Sequence, residues 1–254
     1  MAFAGLNSSD VVTGRSSNLE AALSKLLPGT VRYAISRLDR DIDVCSMEAI
    51  RAKYPLTVTE YADVRNSVPT RELEYRVGRY LAKSLLSRKW AIHGVDLYKK
   101  QNGGPNWPVG MVGSISHSSR TCIVLVAEQK MYEGLGVDIE EGGKFSNEIE
   151  AYISSPGELL RFSKFMEAEA SLRAVFCCKE AIFKSLEAYL WNRIGFNDVE
   201  IDYSLSAVQN MFKFRFRFTK NIELRRPLDC RQLLGNVFVE GDSVIATAVI
   251  PGST

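Results

Sequence analysis

Three acids and one lysine stand out for their type and spacing. Asp138 and Glu140 flank Ile139 in Leu135-Gly136-Val137-Asp138-Ile139-Glu140, and Glu180 and Lys184 lie four residues apart in Lys179-Glu180-Ala181-Ile182-Phe183-Lys184. Side chains alternate faces along a strand, so Asp138 and Glu140 share one face and Val137 and Ile139 the other. Residues four apart on a helix are neighbours on its surface. If this strand packs on this helix, three carboxylates and an ammonium converge. Three oxygen ligands with open positions suit Mg²⁺, which keeps several waters and shares its shell with substrate phosphates. Taken alone, Glu180 and Lys184 are better explained by an exposed ion pair of a few tenths of a kcal/mol.

The elements that must position these groups follow from periodicity. Leu135–Glu140 reads as a short strand. The continuous apolar run Thr121-Cys122-Ile123-Val124-Leu125-Val126-Ala127 before it reads as a neighbouring strand, joined through the turn 128–134. Residues 141–165 read as loop, broken at Pro156-Gly157, and a long helix is expected over about Met166–Leu190. Upstream, Arg71–Leu86 has helical periodicity with Thr70 as its N-cap. Gly78 inside it costs about 1 kcal/mol against alanine, which points to close packing or close approach of a ligand. On spacing alone, a surface helix with a solvated Arg/Lys face is the plainer reading. Lys99–Pro108 is a polar Gly/Pro-rich loop, and Ser114-Ile115-Ser116-His117 reads as a strand delivering Ser116 and His117 to a rim. A serine hydrolase is disfavoured there: Gly-x-Ser-x-Gly is absent, and adjacent strand residues point apart.

The ends of the chain carry structure rather than chemistry. Leu19–Leu27 is amphipathic, Pro28-Gly29 a turn, Val31–Ile35 a strand, and the acidic stretch Asp39, Asp41, Asp43 a solvated loop. Val199–Tyr203 is a short strand. Met211–Phe218 alternates four phenylalanines with three cations, a core face backed by a solvated one rather than a nucleic-acid platform. Val237–Glu240 and Ser243–Ile250 form a closing hairpin around Gly241-Asp242.

Composition narrows the class. With 254 residues, 46% hydrophobic and 24% charged, the chain suits an ordinary globular protein of one large or two small domains. Its 32 basic and 30 acidic side chains are too evenly balanced to imply nucleic acid. Five scattered cysteines, no recognisable signal peptide and no membrane-length apolar run make a reducing cytoplasm the expected location. Only two histidines are present, which argues against a His-rich zinc site.

In chain order the chemistry-bearing residues make a set: Arg71 and Arg79 on a helix, a Lys-rich loop, a Ser-His strand end, Asp-x-Glu on a strand, Lys-Glu-x-x-x-Lys on a helix. Cations suit a ligand with several phosphates, and carboxylates suit a metal bridging two of them, yet no P-loop is present. The segments Trp107-Pro108-x-Gly110-x-x-Gly113-Ser114-Ile115-Ser116-His117, Gly136-Val137-Asp138-Ile139-Glu140 and Phe176-Cys177-Cys178-Lys179-Glu180-Ala181-Ile182-Phe183-Lys184 resemble the three signature blocks of 4′-phosphopantetheinyl transferases. Gly78-Arg79, and Trp191 with Gly195-Phe196-x-Asp198, resemble the EntD-like branch of the Sfp-type superfamily. The likeness spans about residues 70–200.

The resemblance implies an α+β pseudo-dimer, two similar subdomains each with a small antiparallel sheet packed with helices, and an active site in the cleft between them. The boundary falls near Glu133-Gly134, giving 1–133 for the coenzyme A-gripping cations and 134–254 for the acids and catalytic helix. It implies Mg²⁺-dependent transfer of 4′-phosphopantetheine from coenzyme A to a serine of an acyl or peptidyl carrier protein, releasing adenosine 3′,5′-bisphosphate. Asp138, Glu140 and Glu180 would hold Mg²⁺ (or Mn²⁺), with Ile139 contributing only a carbonyl or a water. Glu180 would also be the base, and Lys184 would stabilise charge as the phosphoester breaks. Arg71, Arg79, Lys99, Ser116 and His117 would grip coenzyme A, with Lys179 assisting. A monomer is expected, since a pseudo-dimer has less need of a second subunit. The alternative is a non-catalytic module that binds coenzyme A or a carrier protein in the same cleft.

Overall fold

The computed structural model describes residues 16–38, 44–101, 103–143, 145–192 and 194–252. The N-terminal stretch read for a signal peptide and the acidic loop Asp39, Asp41, Asp43 lie outside the described residues. The first half comprises α1 (Ser16–Leu26), β1 (Arg32–Arg37), α2 (Val44–Lys53), α3 (Val58–Ala62), α4 (Pro69–Trp90), β2 (Met111–His117) and β3 (Thr121–Glu128). The second comprises β4 (Tyr132–Glu141), α5 (Asn147–Ile153), α6 (Pro156–Phe162), α7 (Ala168–Ser185), β5 (Val199–Leu205), β6 (Met211–Phe218), β7 (Leu234–Glu240) and β8 (Ser243–Pro251). Two antiparallel sheets result, ordered β1-β3-β2 and β4-β8-β7-β6-β5. This is the expected α+β architecture.

Helix α4 begins two residues earlier than its periodicity suggests. Pro69 occupies the first helical position and Val68 is the N-cap, so Thr70 sits inside the first turn. Proline's fixed φ favours that position, and its missing N–H loses nothing there. Nor is α4 a solvated surface helix, because Glu72, Glu74, Arg76 and Arg79 are all buried on it. Its Gly78 lies against β2, and a β-carbon there would come within 2.9 Å of Ile115 Cγ2. That contact explains why a residue unfavourable to helices is kept.

β3 and β4 follow one another but do not pair. Both edges of β3 are taken, by β1 and β2, and β4 pairs instead with β8 over Tyr132–Glu141. A strand flanked on both sides has no free donors for a third partner. The two sheets meet where β2 runs beside β4. There Val137 N–H donates to Ser114 Oγ (3.0 Å) and Ile139 N–H to Ser116 Oγ (3.3 Å). Two alternate serines of β2 thus satisfy backbone donors of β4 that its ladder with β8 leaves over.

The segment 141–165 is more helical than its composition suggests. Ser155 caps α6 through a reciprocal box with Glu158, and Pro156 starts the helix instead of breaking the chain. Helix α7 is correspondingly shorter than the expected Met166–Leu190. On β6, Phe212, Phe214 and Phe216 are buried while Lys213, Arg215 and Arg217 are exposed, as the alternation predicts. The hairpin β7–β8 turns at Gly241, where φ is 59°.

Candidate active site

The acid-bearing strand is brought to α7 by a missing side chain. A β-carbon at Gly136 would overlap the Ala181 carbonyl oxygen, so only glycine lets the helix backbone lie directly on β4. One residue pair further on, this contact sets Asp138 against Lys184. Lys184 Nζ donates to Asp138 Oδ1 (2.7 Å), to the Val137 carbonyl (3.0 Å) and to Ser116 Oγ (3.2 Å). Ser116 in turn donates to Asp138 Oδ1 at 2.8 Å. Burial works against the Lys184 charge, but Asp138 outweighs it, and the net displacement of the ammonium's pKa is upward.

The carboxylates around this pair are electrostatically incomplete. Asp138 Oδ2 is buried with no hydrogen-bond partner. Glu140 is pushed up to about 7, first by burial and then by the Asp138 charge; Glu180 adds to the rise, while Lys184 and Arg173 oppose it. The Cys177 and Cys178 thiols beside them are fully buried and driven well upward by that burial and by Asp138, so they stay protonated and inert. An orphaned carboxylate oxygen on Asp138, beside a Glu140 raised by its acidic neighbours, is the donor chemistry of a hard divalent cation. Among the described residues, no three acidic, histidine or cysteine side chains already stand as a cation shell. The residues fit the ion by type and charge, with Lys184 as the balancing cation for Asp138.

Across from them opens a cleft of about 1370 Å³, lined from the first half by Arg71, Glu74, Tyr75, Arg79, Lys99 and His117 and from the second by Glu180, Phe183, Lys184, Glu187 and Trp191. Arg79 is buried and rigidly held: its guanidinium lies 4.1 Å from the Tyr75 ring centre, and its Nε donates to the Leu97 carbonyl at 2.5 Å. Burial lowers its pKa, with Tyr75, Glu60 and Asp63 opposing. The segment before Lys99 is pinned by acids of the α3 region: Glu60 accepts from Leu97 N–H (2.8 Å), and Asp63 accepts from Lys99 N–H (2.6 Å) and from the Tyr75 hydroxyl (2.6 Å). Lys100 pairs with Glu187, a contact that spans the cleft from the first half to the end of α7.

The structure therefore gathers Arg71, Arg79, Lys99, His117, Glu180 and Lys184 on one cleft, with Asp138 directly behind Lys184. Four further expected residues do not line it, one of them Glu140, which stays on β4 two residues after Asp138. Lys179 is fully buried away from the cleft, its ammonium donating to Glu158 (2.9 Å) and to the carbonyls of Ile153 (2.9 Å) and Phe196 (3.0 Å). Five residues separate it from Lys184 on α7, close to half a turn out of phase. Ser116 is occupied in joining β2 to β4 and does not line the cleft. Ile139 has its side chain in the core between the sheets. Glu74, Tyr75, Glu60 and Asp63 were not singled out from the sequence. Their only local signal is an acid or a ring among the arginines of α4 and just before it, a pattern that a solvated helix also shows.

Comparison with known proteins identifies the family. Residues 59–127 match the 4′-phosphopantetheinyl transferase N-terminal domain, and residues 134–231 match the 4′-phosphopantetheinyl transferase superfamily. The chain is 26% identical over 186 residues to the 4′-phosphopantetheinyl transferase PptT of Mycobacterium tuberculosis, covering 73% of this chain and 78% of PptT. It is 30% identical over 149 residues to enterobactin synthase component D of Escherichia coli O157:H7, covering 58% of this chain and 68% of that protein. With Svp of Streptomyces mobaraensis it shares 28% identity over 145 residues, 56% of this chain and 58% of Svp, less than two thirds of that relative's length. The chain belongs to the 4′-phosphopantetheinyl transferase superfamily, a family of transferases. No helix among the described residues is long and apolar enough to cross a membrane.

Proposed function

We propose that this protein transfers the 4′-phosphopantetheine arm of coenzyme A to a serine of an acyl or peptidyl carrier protein, releasing adenosine 3′,5′-bisphosphate in a Mg²⁺-dependent reaction. The observation that carries this reading is a single cleft whose cations come from residues 71–117 and whose acid and lysine, Glu180 and Lys184, come from α7. We assign the division of labour to two units meeting near Glu133-Gly134.

Arg71, Arg79 and Lys99 supply donors for the phosphates and the adenosine end of coenzyme A, through charge-assisted bonds, with His117 beside Arg71 in the same cleft. Arg79, fixed by Tyr75 and Leu97, binds without having to be ordered first. Asp138, Glu140 and Glu180 would hold the divalent ion, which when bound neutralises the diphosphate and polarises the phosphorus–oxygen bond. Glu180, at the cleft wall, takes the proton of the carrier serine, directly or through a water, as its oxygen bonds to phosphorus. The bridging phosphorus–oxygen bond breaks, and Lys184 offsets the charge left on the departing phosphate. Lys184 is already held by Asp138, the Val137 carbonyl and Ser116, so it enters the reaction pre-aimed.

The test incubates the protein with an apo-carrier and fluorescent coenzyme A, with and without Mg²⁺. Label on the carrier serine supports the reading. Coenzyme A binding without label, on a panel of fatty-acid, polyketide and nonribosomal-peptide carriers, replaces it with a binding module.

A further inference from the structure

A carboxylate buried in the wall of an anion-binding cleft is an anomaly. It repels the ligand that the cations attract, and its own desolvation is unfavourable. Glu74 is such a group: it is buried on α4 and lines the cleft with Arg71, Arg79, Lys99 and His117. One of its oxygens serves two neighbours. Oε2 lies 3.2 Å from Arg71 Nη1 and 3.3 Å from His117 Nδ1. Arg71 Nη1 also reaches His117 Nε2, at 2.5 Å. A guanidinium carries only donors, so the nitrogen it meets must present a lone pair. The imidazole proton then sits on Nδ1, facing a carboxylate that can only accept.

We propose that Glu74 is a positioning residue that sets the tautomer and orientation of His117 and holds Arg71 beside it. The two reach the ligand as one preset unit. Arg71 is an exposed side chain in the first turn of α4, and His117 ends β2. Glu74 reaches both, because residues three apart on a helix are neighbours and β2 packs on α4 at Gly78. Ordering them before the ligand arrives removes that entropy from binding. Glu72, two residues earlier, is a contrasting carboxylate: it takes Arg51 (2.9 Å) and Arg76 (2.8 Å) and does not line the cleft.

The tautomer is a property of the protein alone, whereas the kinetic consequence rests on the coenzyme A reading above. The chain has only two histidines, His93 and His117. ¹⁵N-histidine labelling with multiple-bond ¹H–¹⁵N spectra therefore reads His117 directly, once a His93→Gln variant assigns it. The wild type is expected to show His117 as the neutral Nδ1–H form at mildly alkaline pH. Glu74→Ala gives a mixture of both tautomers, Glu74→Gln an intermediate spectrum, and Glu72→Gln the wild-type pattern. In the transfer assay Glu74→Ala raises KM for coenzyme A roughly tenfold, with kcat changed several-fold less. The Glu74→Ala/His117→Ala double variant loses clearly less than the sum of the two single losses. Should Glu74→Ala not fold, the isosteric Glu74→Gln carries both readouts. An Nε2–H tautomer in the wild type, a His117 spectrum indifferent to residue 74, or fully additive losses in the cycle each overturn the proposal. A Glu74-dependent tautomer in a protein that does not bind coenzyme A leaves Glu74 as a positioning residue and removes the functional reading instead.

Discussion

The two walls of the cleft treat their charges in opposite ways. At and behind the first-half wall the acids have a cation or a backbone donor: Glu60 takes Lys83 (2.6 Å) and Leu97 N–H (2.8 Å), Asp63 takes Tyr75 and Lys99 N–H, and Glu74 takes Arg71. Behind the second-half wall Asp138 keeps a buried oxygen without a partner, and Glu140 is pushed up to about 7. The first wall uses acids to hold cations in place for a ligand. The second pairs Asp138 with Lys184 but leaves one Asp138 oxygen and a raised Glu140 that a bound cation would relieve. A protein built for stability alone would pair or remove those acids.

The largest effect that could break this contrast is catalytic. Glu180→Ala and Asp138→Ala are each expected to cut transfer to the carrier by about 10³-fold or more, since each removes a cation ligand and Glu180 also the base. Wild-type rates in either variant would remove the second wall from the chemistry. Next, Glu60→Ala should lower unfolding free energy by about 2–4 kcal/mol in urea titrations, because it strands the Lys83 ammonium and a buried amide. Arg79→Ala should raise KM for coenzyme A by about 10- to 100-fold, matching the loss of a charge-assisted bond of about 1.5–3 kcal/mol. The smallest effect is the most diagnostic. Glu140→Gln should abolish transfer yet raise the melting temperature in metal-free buffer by a few degrees, about 1 kcal/mol of relieved repulsion. Addition of Mg²⁺ should raise the melting point of the wild type more than that of this variant. A lower melting temperature for Glu140→Gln would mean the acids of both walls serve the same structural end.

Much of the second wall was legible because its signals are local. Asp-x-Glu on a strand and Glu-x-x-x-Lys on a helix fix which groups share a face whatever the surroundings. The alternation in β6 and the apolar run of β3 are read the same way. The first wall was half legible. Arg71, Arg79 and His117 could be named as cations, but Glu74 between them looked like any helix-surface acid. Its meaning depends on a histidine 43 residues away in the chain. Lys179 was misplaced for a related reason. Its neighbour Glu180 faces the cleft, and only the packing of α7 on α6 and on the Phe196 carbonyl decides which way Lys179 points.

The sequence by itself determined strands β3, β4 and β6, the closing hairpin and the helices that carry Arg79 and Lys184, since these follow from the fixed periods of helix and strand, while the α+β class and the proposed acids with Lys184 rested on the family resemblance as well. Only the tertiary structure decided that β4 pairs with β8, more than a hundred residues away, and not with β3. It also decided that Ser116 joins the two sheets and that Glu74 lies between Arg71 and His117. These outcomes turn on which donors remain unpaired after distant segments have packed, a quantity no local pattern of residues contains.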